Sequence, residues 1–169
     1  DSSKIARDHQ IMLSDSGLLS IIGGKWTTYR KMGEDVIDRA MKEAKLPQTK
    51  SQTHELHLHG YSPHLDPNDL ASTYGSDMGA LRSLIKEDPI YEELIHPNLP
   101  YQKGEIVWAV RYEMARKLED VLSRRTRSLL LDAAAAIKVA PEVAKIMAKE
   151  LGKGEKWVEQ EVEAFRSLA

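Results

Sequence analysis

The chain has 169 residues, 41% of them hydrophobic, which suffices for one domain with a hydrophobic core or for one domain and part of another. Its formal net charge of −2 argues against general nucleic-acid binding. The absence of cysteine excludes disulfides, zinc-thiolate sites and thiol catalysis. No apolar run approaches the roughly 20 residues of a membrane span, and the chain starts with "DSSKIARD", so we expect a soluble piece of a longer protein.

Two short strands are predicted near the start of the sequence. The segments "HQIML" and "LLSIIGG" flank the turn "SDSG", and this arrangement predicts a β-hairpin. Because "LLSII" is almost continuously apolar, it is typical of a strand that is covered on both faces. A single hairpin partner satisfies such a strand poorly, so we expect it to pack on the helical part of the chain or on a second copy.

An amphipathic helix is predicted directly after Gly23 and Gly24. Thr27 or Thr28 is the expected N-cap of this helix. Its apolar positions recur at helical spacing, and they are Tyr29, Met32, Val36, Ile37, Ala40 and Ala44. The strand, the Gly-Gly turn and the helix together make residues 1–47 one predicted region.

The composition changes at residues 48–67, where Ser, Thr, His and Pro predict a linker. Residues 68–169 predict a helical domain, with one long helix from about residue 104 into "LSRRTRSL". Pro141 is expected at the first turn of the next helix, Gly152 at its end, and "GEKWVEQEVEAFRSLA" predicts the last helix. The predicted fold class is therefore mainly α, a multi-helix bundle preceded by a short β-hairpin and helix.

The Gly-Gly-Lys turn is the first candidate binding site. Lys25, Arg30 and Lys31 surround the first turn of the predicted helix, where the backbone already carries positive partial charge. Together with the hydroxyl groups of Thr27 and Thr28, they would suit a phosphate or an anionic ring system. The alternative is a tight strand-to-helix turn without a ligand.

Three histidines form a second candidate site within the predicted linker. His57 and His59 are two residues apart and would share one face of a strand, with His54 nearby, which allows a zinc clip. No further ligand occurs at fixed spacing. We therefore predict no metal site and interpret the segment as an interdomain strand or loop.

The arginines of "SRRTR" form a third candidate site. Arg124, Arg125 and Arg127 could bind phosphate, but acidic residues nearby favour an internal ion-pair network. A contact with another domain or with a second subunit is the remaining alternative.

Two blocks of the sequence resemble one enzyme family. The segment "ARDHQIMLSDSGLLSIIGGKWTTYRKMGEDVIDRA" is similar to the end of the FAD-binding domain of FAD-dependent glycerol-3-phosphate dehydrogenases. The segment "HPNLPYQKGEIVWAVRYEMARKLEDVLSRRTRSLLLDAAAAIKVAP" resembles the C-terminal helical domain of the same family. Because the blocks occur in the family's order, the resemblance covers nearly the whole chain and identifies residues 1–47 with the last piece of an FAD-binding α/β domain.

The resemblance implies roles for individual residues. Arg7 matches a family arginine near the substrate, where its guanidinium would suit the phosphate group. Lys25 matches a lysine close to both the flavin and the substrate, where a cation would stabilise the reduced flavin. The cofactor-binding residues that it implies are Gly23, Gly24, Lys25, Trp26, Thr27 and Thr28.

The resemblance further implies oxidation of sn-glycerol 3-phosphate to dihydroxyacetone phosphate, with hydride transfer to FAD and a quinone as electron acceptor. The dinucleotide fingerprint G-x-G-x-x-G is absent from the sequence, and in the family it lies in a preceding FAD and substrate domain. We therefore expect that the fragment alone does not hold FAD and is inactive. A homodimer is allowed, and the expected location is cytoplasmic, with the parent protein peripheral on the inner membrane.

A second function from a different class stays open. The chain could be a helical docking or oligomerisation module with no direct catalytic role. The two functions differ in whether Arg7 and Lys25 matter for turnover.

Overall fold

The computed structural model describes residues 8–66 and 68–169. The chain divides into two compact units, residues 1–58 and residues 59–169, and their boundary lies inside the segment 48–67. The domain limits predicted from the sequence stay a prediction.

The first unit begins with the β-hairpin that the sequence predicts. Strand β1 covers His9–Leu13 and strand β2 covers Leu19–Gly23, and they pair antiparallel with His9 opposite Gly23. The amide of Leu18 donates to the side-chain oxygen of Ser14 at 3.0 Å, which helps to close the turn. Within the described residues β2 pairs only with β1, so its second edge has no strand partner among them.

The predicted amphipathic helix of the first unit is also present. Helix α1 covers Tyr29–Glu43 and follows a 3₁₀ turn at Trp26–Thr28. Nε2 of His9 lies 3.0 Å from Oδ2 of Asp35, which ties β1 to α1. None of the residues of α1 is buried, so the apolar stripe of this helix lacks a full covering layer.

The second unit is mainly helical, and its fold class is the predicted one. A 3₁₀ segment at Leu70–Asp77 comes first, and the helices that follow are α2 (Met78–Ile85), α3 (Lys103–Tyr112), α4 (Ser128–Leu131), α5 (Ala133–Leu151) and α6 (Glu155–Leu168). A 3₁₀ turn at Pro89–Glu92 precedes a second hairpin, β3 (Leu94–His96) with β4 (Leu99–Gln102). The sequence analysis did not predict this hairpin, because its strands are too short to show an alternating pattern.

The second unit has a continuous hydrophobic core between α3, α5 and α6. Its fully buried apolar side chains include Leu99, Ile106, Leu118, Leu122, Met147 and Phe165. Burial of a side chain of this size stabilises a fold by about 1.5–3 kcal/mol. The core therefore gives this unit the means to be stable on its own.

The predicted long helix from residue 104 is wrong, because α3 ends at Tyr112. Met114 has a positive φ of 58°, which interrupts the helix although the apolar spacing continues through it. The carboxylate of Asp120 then accepts hydrogen bonds from the amides of Arg116 and Lys117, both at 2.9 Å. The chain continues as a π-helical segment at Asp120–Arg125, of which Asp120 is the first residue.

Polar contacts from other parts of the second unit stabilise this interruption. Oε2 of Glu161 accepts a hydrogen bond from the amide of Leu118 at 2.8 Å. The Arg116 guanidinium donates to the carbonyls of Val110 and Ala115, each at 2.9 Å. These bonds pair backbone groups that lack helical partners at the interruption, and spacing along the sequence does not reveal them.

The predicted helix start at Pro141 is also wrong, because Pro141 lies inside the continuous helix α5. Proline has no amide hydrogen, so one backbone bond of the helix is missing there. The helix continues because Ala140 and Val143, on either side of the proline, are buried in the core. The observed start of α5 is capped by Asp132, and its end at Gly152, with φ +63°, confirms the prediction for that glycine.

Candidate functional site

The Gly-Gly-Lys turn joins β2 to α1 and has a defined backbone geometry. Gly23 and Gly24 both have positive φ values, 79° and 82°, and Lys25 returns to an extended conformation. The side-chain oxygen of Thr28 accepts from the Lys25 amide at 3.2 Å and donates to the Lys25 carbonyl at 2.9 Å. These bonds hold Lys25 at the start of the 3₁₀ turn that leads into α1.

Close packing as well as backbone conformation requires glycine at position 24. A Cβ atom at Gly24 would lie 2.6 Å from the sulfur of Met32 and 3.3 Å from Cβ of His9. An L-residue at this φ would also be strained. The turn therefore packs directly against the start of α1 and against β1.

Two of the three basic residues around this turn have partners in α1 itself. Nζ of Lys31 lies 2.8 Å from carboxylate oxygens of both Glu34 and Asp35, and Nη1 of Arg30 lies 2.7 Å from Glu34. The hydrogen bond from Lys31, followed by that from Arg30, lowers the pKa of Glu34 to about 2. These pairs compensate the charges of Arg30 and Lys31, so neither of them requires a bound anion.

Lys25 differs from the other two basic residues. Its side chain is exposed, and within residues 8–66 and 68–169 no hydrogen bond or ion pair engages its amino group. Neither the 3₁₀ turn nor α1 has an acidic residue in its first turn. The turn therefore combines positive partial charge from the backbone with one uncompensated lysine.

Aromatic side chains lie beside this lysine. Trp26 is 91% exposed, and its ring centroid lies 6.5 Å from that of Tyr29, which is also exposed. Thr27 is exposed as well. The structure thus brings Gly23 to Thr28 together on one turn, while Arg7, the other predicted site residue, lies outside the described residues.

The histidines of the predicted linker have carboxylate neighbours. Nε2 of His59 lies 2.6 Å from Oδ2 of Asp77, and Nε2 of His54 lies 3.4 Å from Oε1 of Glu55. Across the part of the chain that the structure describes, no group of three or more histidine, aspartate and glutamate side chains could hold a metal ion.

The arginines of "SRRTR" form only part of the predicted ion-pair network. Arg124 lies 2.5 Å from Oε1 of Glu119 and 2.9 Å from Oδ1 of Asp120, as predicted. Arg125 instead donates to the backbone carbonyl of Glu113 at 2.6 Å. Arg127 takes part in none of the ion pairs found among the described residues.

These arginines line a cleft of about 680 Å³ that lies wholly within the second unit. Its other walls come from His59 and Gly60, from the 3₁₀ segment at Leu70–Asp77 and from Tyr101. This cleft was not predicted from the sequence, because its walls are far apart along the chain. Only the arginine cluster gave a signal.

Within the residues that the structure covers, none of the helices is both long enough and apolar enough to cross a membrane.

The chain is similar to mitochondrial glycerol-3-phosphate dehydrogenases from several animals. The protein from Bos taurus is 34% identical over 99% of this chain and 26% of its own length, and that from Homo sapiens is 33% identical over the same shares. A probable mitochondrial glycerol-3-phosphate dehydrogenase from Caenorhabditis elegans is 35% identical over 90% of this chain and 24% of its own length. The chain thus spans about a quarter of the length of these relatives.

A family model describes the same region. The model of the C-terminal domain of alpha-glycerophosphate oxidase matches residues 18–160. This match covers most of both units and confirms the resemblance inferred from the sequence. The chain belongs to the family of the C-terminal domain of alpha-glycerophosphate oxidase.

Proposed function

We propose that this chain is the C-terminal part of an FAD-dependent glycerol-3-phosphate dehydrogenase. The reaction would be the oxidation of sn-glycerol 3-phosphate to dihydroxyacetone phosphate, with electrons passed on to a quinone. The family match and the similarity to glycerol-3-phosphate dehydrogenases support this proposal. The remaining three quarters of such an enzyme would supply the preceding FAD and substrate domain.

The observation that carries the proposal is the uncompensated Lys25 on the Gly-Gly turn. A flavin becomes more negative when it is reduced, and a nearby cation and helix start favour that change. The exposed amino group of Lys25 and the absence of acidic residues in the first helical turn fit a neighbouring negative charge. The residues present therefore fit a flavin edge.

Other residues of the turn would form the wall beside the flavin. Gly23 and Gly24 allow close approach of the backbone, because neither carries a side chain. Trp26, Thr27 and Thr28 would contribute mainly through their backbone groups. Bound FAD would supply the acceptor for the hydride.

Lys25 and Arg7 would have different tasks towards the substrate. The ammonium group of Lys25 would stabilise negative charge that develops at the flavin edge, which is a form of electrostatic catalysis. The guanidinium of Arg7 would bind the substrate phosphate through two parallel hydrogen bonds.

The preceding domain is the proposed covering layer of the first unit. Ile22 on β2 is 54% exposed, Ile37 on α1 is 58% exposed, and Trp26 between them is almost fully exposed. Such neighbouring apolar side chains are typical of a surface that is buried in the complete protein. We therefore expect the 169-residue chain alone to hold no FAD and to be inactive. The expected location is cytoplasmic, with the parent enzyme peripheral on the inner membrane and a homodimer allowed.

A titration under anaerobic conditions tests both parts of this proposal. Addition of sn-glycerol 3-phosphate to the full-length parent should bleach the flavin absorbance in proportion to the enzyme. The 169-residue chain mixed with FAD should show neither stoichiometric binding nor bleaching. A full-length parent without flavin would contradict the assigned reaction, and a chain that binds and reduces FAD alone would contradict the need for the preceding domain.

The second candidate function is a helical docking or oligomerisation module. The complete core of the second unit favours it, because Leu99, Leu118 and Phe165 are buried by that unit alone. Under this alternative, substitution of Lys25 in the parent enzyme leaves turnover intact. Under the first proposal the same substitution damages turnover.

A further inference from the structure

The cleft in the second unit has features that the proposed function does not use. Arg124, Arg125 and Arg127 line it, and so do Tyr74, Tyr101 and His59. Its volume of about 680 Å³ lies within the range of about 300–1,000 Å³ that is usual for small-molecule sites. The cleft therefore has room for a ligand larger than a simple ion.

The arginine wall is built on an unusual backbone. A π-helical segment ends at Arg125, and Arg127 has a positive φ of 53°, which is rare for a residue other than glycine. Such conformations are costly, persist only where the surroundings enforce them, and occur often at binding sites. Here the side-chain oxygens of Thr126 and Ser128, 2.7 Å apart and both buried, hold the segment in place.

The three arginines of this wall are compensated to different degrees. Arg124 is held by two carboxylates at 2.5 Å and 2.9 Å. Arg125 has a carboxylate only at 3.9 Å, from Asp120, and its short contact is with a neutral carbonyl. No hydrogen bond or ion pair found in the described residues engages the guanidinium of Arg127, and that of Arg125 has no close carboxylate, so both groups are available to an anion.

The acidic residues of the cleft oppose these charges only weakly. Asp77 already lies 2.6 Å from Nε2 of His59. Burial raises the pKa of Glu113, which reduces the tendency of that carboxyl group to carry negative charge. The arginine side of the cleft thus keeps an excess of positive charge.

We infer that this cleft binds a small phosphate-bearing molecule, with Arg127 and Arg125 holding the phosphate group. Guanidinium groups match the oxygens of a phosphate with several parallel donors, and charge-assisted bonds of this kind are the stronger ones. Tyr74 and Tyr101 also line the cleft and would contact the organic part of the ligand. The ligand class is a phosphate monoester, and inorganic phosphate is the smallest molecule that offers the same chemistry.

Isothermal titration calorimetry of the 169-residue chain tests this inference at low ionic strength. The probes are sn-glycerol 3-phosphate and inorganic phosphate, each with chloride-matched buffer. Arg127→Gln should weaken binding by about tenfold or more, since it removes bonds to a charged group, and Arg127→Lys should restore it only in part. Circular dichroism of each variant shows whether the fold is intact.

Two control variants make the result specific. Arg166→Gln removes the same charge from an exposed position on α6, outside the cleft, and should leave binding unchanged. Lys42→Ala removes a charge from an exposed position on α1 in the first unit, and should also leave binding unchanged. Because flavin and turnover do not enter this assay, its failure is distinguishable from failure of the proposed function.

Each result of the titration either supports or overturns the inference. If sn-glycerol 3-phosphate binds more tightly than inorganic phosphate, and only Arg127→Gln loses this binding, the ligand is an organic phosphate. If both probes bind equally and only Arg127→Gln loses binding, the cleft recognises the phosphate group itself. Absence of saturable binding at millimolar concentrations overturns the inference. Equal weakening by Arg127→Gln and Arg166→Gln, or loss of binding in Lys42→Ala, also overturns it.

Discussion

Gly75 lies at a point where the second unit leaves no room for a side chain. Its φ is +55°, and a Cβ atom there would lie only 1.7 Å from the carbonyl oxygen of Gly60. That same carbonyl accepts a hydrogen bond from the amide of Ser76 at 3.2 Å. Gly75→Ala must therefore strain the backbone and displace the Gly60 carbonyl from its partner.

The size of the effect follows from these contacts. A non-glycine residue held at an unfavourable positive φ costs about 1–3 kcal/mol, and a lost hydrogen bond costs about 1 kcal/mol. Displacement of the backbone against a rigid neighbour adds about 1 kcal/mol or more. We expect Gly75→Ala to lower the free energy of unfolding by about 3–5 kcal/mol.

Gly152 provides the matched control. It also has a positive φ, +63°, at the end of α5, but a Cβ atom there would meet nothing within 4 Å. Gly152→Ala should therefore cost only the backbone strain of about 1–2 kcal/mol. The difference between the two variants measures the close contact between Gly75 and Gly60.

Urea unfolding and thermal melts followed by circular dichroism would measure both variants. A loss of 1 kcal/mol lowers the Tm of a unit of this size by about 4–8 °C. Gly75→Ala should thus lower the Tm by roughly 12 °C or more, well beyond the shift of Gly152→Ala. Equal shifts in the two variants would refute the assignment of Gly75 to a close backbone contact.

Two further predictions concern a helix interior and an acid titration. Pro141→Ala should raise the free energy of unfolding, measured by urea unfolding, by about 1–3 kcal/mol, because the missing hydrogen bond of α5 is restored. A loss of stability would show that the proline ring itself supports the packing. The pKa of Glu34 is lowered from 4.5 to about 2 in the folded chain, so its contribution to the stability of the first unit is complete above about pH 4.5 and is lost as the pH falls towards 2. Helical signal in an acid titration should therefore fall less steeply in that range for Glu34→Gln than for the wild type, and identical curves would contradict the role of its pair with Lys31.

Elements with regular spacing and clear end signals were predictable from the sequence. The hairpin of β1 and β2 follows from two apolar runs around a short polar turn. Helices α1 and α6 follow from apolar residues at helical spacing. The left-handed Gly152 follows from its place after the last apolar residue of α5.

Elements that depend on distant contacts were not predictable in the same way. The interruption after Tyr112 lies within an unbroken apolar stripe, because Leu118 is buried in the loop as deeply as it would be in a helix. Its polar partners, Asp120 and Glu161, are visible only in three dimensions. Pro141 gave a local signal for a helix start, but burial of its neighbours outweighed that signal.

The two candidate sites also differ in how far the sequence predicts them. Gly23 to Thr28 are contiguous in sequence, so the turn could be predicted from its motif. The motif did not reveal that Arg30 and Lys31 form ion pairs within α1. Of the three basic residues around the turn, Lys25 is thus the one whose side chain has no partner among the described residues. The cleft around Arg127 brings together residues from five separate segments, and no spacing rule predicts that.

The central claim is that the Gly-Gly-Lys turn serves the chemistry of a flavin-dependent dehydrogenase. The most direct test compares glycerol 3-phosphate oxidation by the full-length parent, wild type against Lys25→Ala, with flavin content measured in both. Lys42→Ala, at an exposed lysine in the last turn of α1, is the matched control. We predict that Lys25→Ala lowers turnover by about 100-fold or more and retains flavin, because the enzyme loses one group that stabilises developing charge. Lys42→Ala should leave turnover unchanged. Unchanged turnover in Lys25→Ala would contradict the claim and leave the chain as a docking or assembly domain.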